Sequence, residues 1–414
     1  MTFPIELVRS QFPALSLADD GRSRVYLDNP AGTQVPRCVA EAATTCLLAT
    51  NANLGGFFPT SIAADHIVAD AHAAMARFLG ANSPREIVIG PSMTALTFNF
   101  SRSLGRTLRS GDEIVVTHMD HDGNVSPWLA LAAERDATVR WVPFDRATWQ
   151  IQPEAFERAL SERTRIVAVN YANNLTGSVN NVTPMVAAAR RAGALVYLDA
   201  VQLAPHRLID AQQLGCDFVA CSSYKFFGPH LGIVWGREDL LRDLYAYKVR
   251  PQTEELPYRY ELGTPQIELL AGLEATIAYF ERLGERCDPQ AAPGRARIAA
   301  AFAATEAWET VLVSDLVDGL CTIPGTHVVG IADASRFAWR VPTVSALFEG
   351  RSSASVAQAL AQENIFVWSG HNFALETVRL LGIDEDDGVV RIGLAHYNDR
   401  NDVRRLLDAL RNVV

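Results

Sequence analysis

The feature that most constrains the fold is an alternation of short apolar segments with helical patterns between about residues 86 and 236. Several apolar segments lack polar alternation, which is typical of strands in a sheet that helices cover on both faces. The strand candidates are residues 86–89, 113–116, 139–142, 165–169, 195–198, 217–220 and 232–235. The helix candidates are residues 65–79, 125–135, 153–161 and 183–192. The alternation predicts an α/β fold with a mostly parallel sheet.

Composition narrows the class of protein. The net charge of −10 argues against a general nucleic-acid binder, which usually carries a basic face. The sequence has no run of about 18 uncharged apolar residues and no signal-like N-terminus, so neither a membrane span nor a signal peptide is expected. The six cysteines form no CxxC pair, which argues against a zinc ribbon or a disulfide scaffold. We therefore expect no metal site and a reducing, cytoplasmic location.

The chain of 414 residues is long enough for about two or three domains, and its texture changes near residue 268. Beyond that point, the candidates are helices at 268–284, 353–362 and 400–412 and strands at 344–348 and 389–394. We predict a large α/β domain over residues 24–267 and a small α+β domain formed by residues 1–23 and 268–414.

Two polar residues stand at the ends of apolar strands: Asp199 closes one strand, and Lys225 follows a later one. Ligands collect at the carboxyl ends of parallel strands, so the two side chains are expected to lie together. The pair suits pyridoxal 5′-phosphate (PLP). The lysine forms a Schiff base with its aldehyde, and the carboxylate keeps a proton on the pyridine nitrogen, so that the ring accepts electrons. We assign Lys225 and Asp199 as catalytic.

Other motifs keep a consistent order around this pair. They are Tyr26–Gly32, Ser92-Met93-Thr94, Thr117–Asn124, Asn173–Gly177, a D-x-x-Q at 199–202, an S-x-x-K at 222–225, Gly263-Thr264-Pro265 and Val390–Leu394. Together they resemble the class V aminotransferase family of fold-type I PLP enzymes, in particular its cysteine desulfurase-like and selenocysteine lyase-like branch. The resemblance covers roughly residues 24 to 410 and implies the fold-type I architecture.

The resemblance implies several contacts to the cofactor phosphate. Met93 and Thr94 begin a helix after a strand, where backbone amides form a phosphate site, although the same pattern also suits an ordinary helix cap. Ser222 is implied to bind the phosphate too, and Tyr224 replaces the usual histidine with a hydroxyl donor. Thr264 is implied to reach the phosphate of a second subunit, which makes the protein a homodimer with shared active sites.

The resemblance also implies contacts to the cofactor ring. His121, rather than His118, stacks on the ring and relays protons as a third catalytic residue. Asn174 lies near the ring oxygen, and Gln202 bonds the phenolic oxygen. The residues alone leave a surface histidine and an Asx turn at Asn174 open as alternatives.

The implied substrate contacts come from both ends of the chain. Ala31 and Gly32 belong to an opening loop beside the substrate, and Asn174 contributes from the sheet edge. The planar fork of Arg391 matches the substrate carboxylate. An arginine on a solvated strand is the alternative interpretation of Arg391.

The resemblance breaks at the sulfur nucleophile. In the desulfurases a cysteine follows a Gly-His-x stretch, whereas Phe373 occupies that position here and no cysteine follows Cys321. Cys221 ends a strand and is expected to be buried, so we expect no persulfide on the protein's own thiols. The aromatic residues of 51–59 and 368–373 are expected to shape an apolar or tightly closed side-chain pocket.

The predicted reaction places the substrate carboxylate on Arg391 and uses the freed Lys225 as general base or acid at the α-carbon. The leading outcome is a lyase reaction on a small amino acid, a β-elimination of a sulfur or other leaving group. Transamination, racemisation or epimerisation, and carbon–carbon bond chemistry stay open because they begin with the same carbanion. A non-catalytic PLP-binding regulatory protein is a different class, against which the electron sink argues.

Overall fold

The computed structural model describes residues 3–414, and its centre is a seven-stranded sheet. Its strands are β1 (Ile87–Gly90), β2 (Glu113–Thr117), β3 (Thr138–Val142), β4 (Thr164–Asn170), β5 (Leu195–Asp199), β6 (Phe218–Ser222) and β7 (Gly232–Gly236). They lie in the order β1-β7-β6-β5-β4-β2-β3, and β7 alone runs antiparallel to its neighbours. The predicted mostly parallel α/β sheet is confirmed.

Both faces of the central strands are buried, which explains why these strands are almost continuously apolar. Val115 and Val167 pack into a core on one face, while Ile114 and Ala168 pack into a second core on the other. Successive side chains along a strand point to opposite faces, so the central strands need apolar residues at most positions, whereas the edge strand β3 exposes Thr138 and Arg140.

The described helices agree with most of the predicted ones. They are Ile5–Ser10, Arg37–Ala49, Pro59–Leu79, Met93–Gly105, Ser126–Arg135, Pro153–Ala159, Val182–Arg191, Ala211–Leu214, Glu238–Asp243, Ile267–Cys287, Arg295–Cys321, Ser353–Gln362, Leu375–Leu381 and Arg400–Val413. No helix within residues 3–414 is long and apolar enough to cross a membrane.

A four-stranded antiparallel sheet follows in the C-terminal part. Its strands are β8 (Thr326–Val329), β9 (Thr343–Phe348), β10 (Trp368–Gly370) and β11 (Val389–Gly393), in the order β8-β9-β11-β10. Two short pairs add Val25–Tyr26 beside Ile365–Phe366, and Ala18–Asp19 beside Arg22–Ser23. The short parallel pair ties the start of the chain to the segment that leads into β10.

The division into two domains stays a prediction. A separate apolar core joins the four-stranded sheet to the helices Arg295–Cys321 and Arg400–Val413. The N-terminal residues contact both predicted parts of the chain, because the Phe12 ring lies 5.8 Å from that of Phe227 and 4.8 Å from that of Tyr397.

Gly232 allows the N-terminus of the helix Met93–Gly105 to approach β7 closely. A Cβ on Gly232 would lie 2.1 Å from the carbonyl carbon of Ser92 and 2.2 Å from the amide nitrogen of Met93. Only a residue without a side chain therefore lets the N-terminus of Met93–Gly105 rest against β7. This contact places that helix end at the carboxyl-end edge of the sheet.

Candidate active site

A cavity opens where β4, β5 and β6 end. Asn170 pairs with Asp199, and Asp199 pairs with Ala220, so β4 and β5 end level and β6 continues two residues further, to Ser222. The nine residues predicted to contact the cofactor from within one chain all line this cavity: Met93, Thr94, His121, Asn174, Asp199, Gln202, Ser222, Tyr224 and Lys225. Sequence reasoning did not include three further lining residues, Asn170, Ala172 and Val201.

Lys225 ends a short 3₁₀ turn directly after β6. Its Nζ donates hydrogen bonds to the carbonyl oxygens of Pro30 and Ala31, the latter at 3.1 Å. Burial lowers the pKa of Lys225 to about 7, and the nearby charge of Arg391 acts in the same direction. A substantial fraction of Lys225 is therefore a neutral amine near pH 7, which is the form that attacks a carbonyl or accepts a proton.

Asp199 closes β5 and is 5% exposed. Its Oδ1 accepts a hydrogen bond from the amide of Val201 at 2.8 Å. Burial raises the pKa of Asp199 to about 6, and the charge of Lys225 offsets part of this rise. A buried carboxylate is stabilised by a cationic partner, and a protonated pyridine nitrogen would supply one.

The helix Met93–Gly105 points its N-terminus at the cavity. Ser92 caps this helix by accepting a hydrogen bond from the amide of Ala95 at 3.1 Å. The amides of the first turn have no partner within a helix, and Met93 and Thr94 both line the cavity. The N-terminus of this helix can therefore carry both a cap and an anion site, so the two interpretations of this motif are compatible.

His121 is partly buried between the cavity and the C-terminal part of the chain. Its Nδ1 accepts a hydrogen bond from the amide of Gly123 at 2.9 Å, which leaves the proton of the neutral ring on Nε2. Burial lowers the pKa of His121 to about 3, so the imidazole is neutral at physiological pH. The ring of Phe373 covers one face of the imidazole at 5.4 Å between centroids.

A second, larger cavity of about 810 Å³ adjoins the first and shares Thr94, His121, Asn174, Tyr224 and Lys225 with it. Arg391 and Ala31 line this space. Gly32 follows Ala31, and a Cβ added to Gly32 would lie 3.3 Å from the Tyr224 ring. The structure thus brings the predicted substrate residues next to the predicted cofactor residues.

Arg391 lies on β11 and is only 4% exposed, so the interpretation as a solvated strand residue is wrong. One of its terminal nitrogens donates to the backbone oxygen of Asn174 at 3.0 Å, whereas its Nε is buried without a partner. Burial lowers the pKa of Arg391 to about 9, and Asp28 offsets part of this effect. The Oδ1 of Asn174 is also buried without a partner. These groups retain hydrogen-bonding capacity for a ligand.

The segment from Gly370 to Phe373 has a strained backbone. Asn372 and Phe373 have φ angles of 51° and 59°, a region that costs a residue with a side chain about 1–2 kcal/mol. Hydrogen bonds hold the segment: Asn174 Nδ2 donates to the backbone oxygen of Asn372 at 2.7 Å, and the amide of Asp122 donates to the backbone oxygen of Phe373 at 2.7 Å. Strain maintained in this way is typical of functional sites.

Three expectations concern residues that lie apart from these cavities. Thr264 lies in a separate groove beside Ala95 and Asn99, so its contact with a second subunit's phosphate stays a prediction. Residues 51–59 line neither cavity, and Phe57 is fully exposed. The Cys221 thiol is fully buried, and burial raises its pKa, so it has the inert character expected of it.

Comparison with known proteins places this chain in a family. The model of the family "Aminotransferase class-V" matches residues 25–292 and 295–406. The chain belongs to this family. "Aminotransferase-like protein FGM3" of Gibberella zeae is 35% identical, with 100% of this chain and 99% of that protein covered. A "probable cysteine desulfurase" of Synechocystis sp. is 30% identical, over 98% of this chain and 95% of that protein.

A solved structure extends the likeness to three dimensions. The cysteine desulfurase of Thermococcus onnurineus matches with a TM-score of 0.88 and 27% identity, over 100% of this chain and 98% of that one. The resemblance inferred from the motifs and the fold-type I architecture are thus confirmed. The chain is a PLP-dependent enzyme of the cysteine desulfurase-like type.

The residues present fit PLP. The cavity offers a helix N-terminus for a phosphate, a lysine with a lowered pKa for an aldehyde and a buried carboxylate for a pyridine nitrogen. The unpartnered Asn174 Oδ1 adds an acceptor at the boundary between the two cavities.

The lowered pKa of Lys225 predicts its reactivity in the PLP-free protein. The sequence contains two lysines, so Lys248 provides an internal comparison. Labelling of Lys225 by an amine-reactive reagent should rise with pH around a midpoint near 7, because only the neutral amine reacts. Arg391→Gln removes a neighbouring cation and should move the midpoint upward. Peptide mass mapping across pH measures both values, and a wild-type midpoint near the ordinary value of about 10.4 would contradict the account.

Proposed function

We propose that this enzyme is a lyase that removes a leaving group from the β-carbon of an amino acid. The observation that carries the proposal is the shared wall of the two cavities, where Lys225 stands between Asp199 on one side and Arg391 on the other. The family relatives named as cysteine desulfurases support chemistry on an amino acid. The family also contains aminotransferases, whose reaction begins with the same loss of a proton from the α-carbon.

Each residue has a distinct part in this reaction. Bound PLP would supply an aldehyde for the substrate amine and a ring that takes up electrons. Arg391 binds the substrate carboxylate, with its unpartnered Nε available as a donor. Lys225, partly neutral near pH 7, accepts the proton of the α-carbon. Asp199 holds the ring proton, which keeps the ring a strong electron acceptor.

The thiols of this chain support direct elimination rather than persulfide transfer. Phe373 stands at the position that the resemblance gives to the sulfur nucleophile, and its ring packs on His121. All six cysteines are free, but Cys221 is buried and the exposed Cys321 lies outside both cavities. The free thiols also support our expectation of a reducing, cytoplasmic location.

Products and intermediates on the protein test this function. With a β-substituted L-alanine such as L-cysteine, we expect pyruvate, ammonia and the released leaving group, without a persulfide on the protein. Asp199→Asn should slow turnover about 10³-fold or more, with a smaller effect on PLP affinity, because an amide cannot hold the ring proton. The same change at the buried Asp217, which lines neither cavity, should leave the rate per folded enzyme unchanged.

Three other results would indicate a different reaction. A stoichiometric persulfide on one cysteine, with turnover lost on its mutation to serine, would establish the desulfurase route instead. A keto acid that retains the substrate side chain would indicate transamination. Exchange of the α-proton without release of a leaving group would indicate racemisation.

We further propose that the enzyme is a homodimer in which Thr264 contacts the partner's cofactor phosphate. Thr264 shares its groove with Ala95 on the helix whose N-terminus faces the cavity, yet lies outside that cavity. Leu48 is 83% exposed, and Phe57, within residues 51–59, is fully exposed. Such exposed apolar surface is typical of an interface.

Hybrid dimers test the shared site. Thr264→Val should weaken PLP binding about tenfold through the loss of one hydrogen bond to a charged group. In a hybrid with Lys225→Ala, one site combines the intact Lys225 of one subunit with the intact Thr264 of the other. Activity at low PLP concentration should therefore recover in the hybrid. If Thr264 acted within its own chain, the hybrid would stay as weak as the Thr264→Val homodimer.

A further inference from the structure

Several aromatic side chains line the larger cavity. Three of its lining residues leave apolar surface uncovered, because Phe98 is 37%, Trp368 is 50% and Phe373 is 64% exposed. They come from three separate stretches: the helix Met93–Gly105, strand β10 and the strained segment that follows it. Apolar side chains that converge on one concave surface are typical of a ligand-binding site.

The position of Phe373 is fixed rather than accidental. The oxygen of Phe373 accepts a hydrogen bond from the amide of Asp122, and its own amide donates to Nδ1 of His371 at 3.0 Å. Its ring packs against His121, which also lines the cofactor cavity. The backbone keeps a positive φ to achieve this arrangement. The ring is thus held at the boundary between the reacting centre and the larger space.

The volume of the larger cavity and the charges at its rim limit which ligands it can bind. A cavity of about 810 Å³ is far larger than the side chain of cysteine requires. The polar rim carries the carboxyl groups of Asp122, Glu385 and Asp386, of which Glu385 is paired with Arg379 at 2.8 Å. Carboxylates at the rim disfavour a second carboxylate on the ligand.

We propose that Phe98, Trp368 and Phe373 form a specificity subsite for an uncharged, apolar or aromatic substituent on the β-carbon of the substrate. This inference rests on the proposed lyase function and names its substrate class. The substrate carboxylate lies on Arg391, and the substituent extends past Phe373 toward Trp368. It replaces the small amino acid expected from the sequence with a bulkier one.

Three L-cysteine derivatives that share one reacting centre test this subsite: S-methyl-, S-benzyl- and S-carboxymethyl-L-cysteine. The holoenzyme should convert the benzyl derivative with a kcat/KM about tenfold or more above that of the methyl derivative, because the ring buries apolar surface. The carboxymethyl derivative should be the poorest of the three. Calorimetric binding to PLP-loaded Lys225→Ala, which cannot turn over, should give the same order of affinities.

Variants assign the preference to the named side chains. Trp368→Ala and Phe373→Leu should reduce the benzyl-to-methyl ratio of kcat/KM about tenfold, because both changes remove apolar surface that the benzyl ring would cover. Trp339→Ala removes an exposed aromatic side chain that lines neither cavity and should leave the ratio unchanged.

The outcomes separate the two proposals. If all three derivatives react or bind within threefold of one another, or if the variants retain the wild-type ratio, the subsite is refuted while the lyase function stands. If none of the derivatives binds or reacts and other amino acids also fail, the lyase function is refuted and the subsite with it.

Discussion

Burial acts against charge on the three ionisable side chains around which this site is built. It lowers the pKa of Lys225 to about 7 and of Arg391 to about 9, and it raises the pKa of Asp199 to about 6. The two basic groups thus lie in a poorly hydrated space, where Asp199 and Asp28 compensate only part of the cost of their charges. Anionic ligands, such as a phosphate and a carboxylate, would stabilise these charges, and the helix N-terminus at Met93 also favours an anion. The pocket is therefore suited to an anionic cofactor and an amino acid together.

The sheet determines which side chains can meet at this pocket. Strands β4 and β5 end level with one another and β6 ends two residues later, so the residues after them share one edge. Gly232 on the antiparallel β7 allows the helix at Met93 to approach the same edge. Arg391 arrives from the other sheet, where it bonds the backbone of Asn174. The reacting groups are thus held by backbone geometry rather than by long flexible loops.

Much of this arrangement could be predicted from the sequence. Buried parallel strands are continuously apolar, and Asp199 and Lys225 stand out because charged residues rarely end such strands. The helix Arg295–Cys321 was not predicted, because small and polar residues such as Thr305 and Glu309 occupy its buried face and obscure the apolar stripe. The stacking of Phe373 on His121 also depends on two left-handed residues, which no local pattern in the sequence indicates.

The departure from the cysteine desulfurase pattern has a structural consequence. The phenyl ring of Phe373 stands at the position that the resemblance gives to the sulfur nucleophile, and it adds apolar surface to the cavity that Lys225 and Arg391 line. Under the proposed function, this ring removes the persulfide route. The same strained segment thus bears on both the chemistry and the size of the substrate. This link joins the proposed elimination to the proposed aromatic subsite.

The central claim is that Lys225 is the residue that carries PLP. Borohydride reduction of the holoenzyme, followed by peptide mass mapping, tests it most directly, because the sequence offers Lys248 as the one alternative lysine. Lys248 is paired with Glu254 at 2.9 Å and lines neither cavity. The account predicts one pyridoxyl group per chain on Lys225 and none on Lys248. A pyridoxyl group on Lys248, or an unmodified Lys225 in PLP-saturated enzyme, would contradict it.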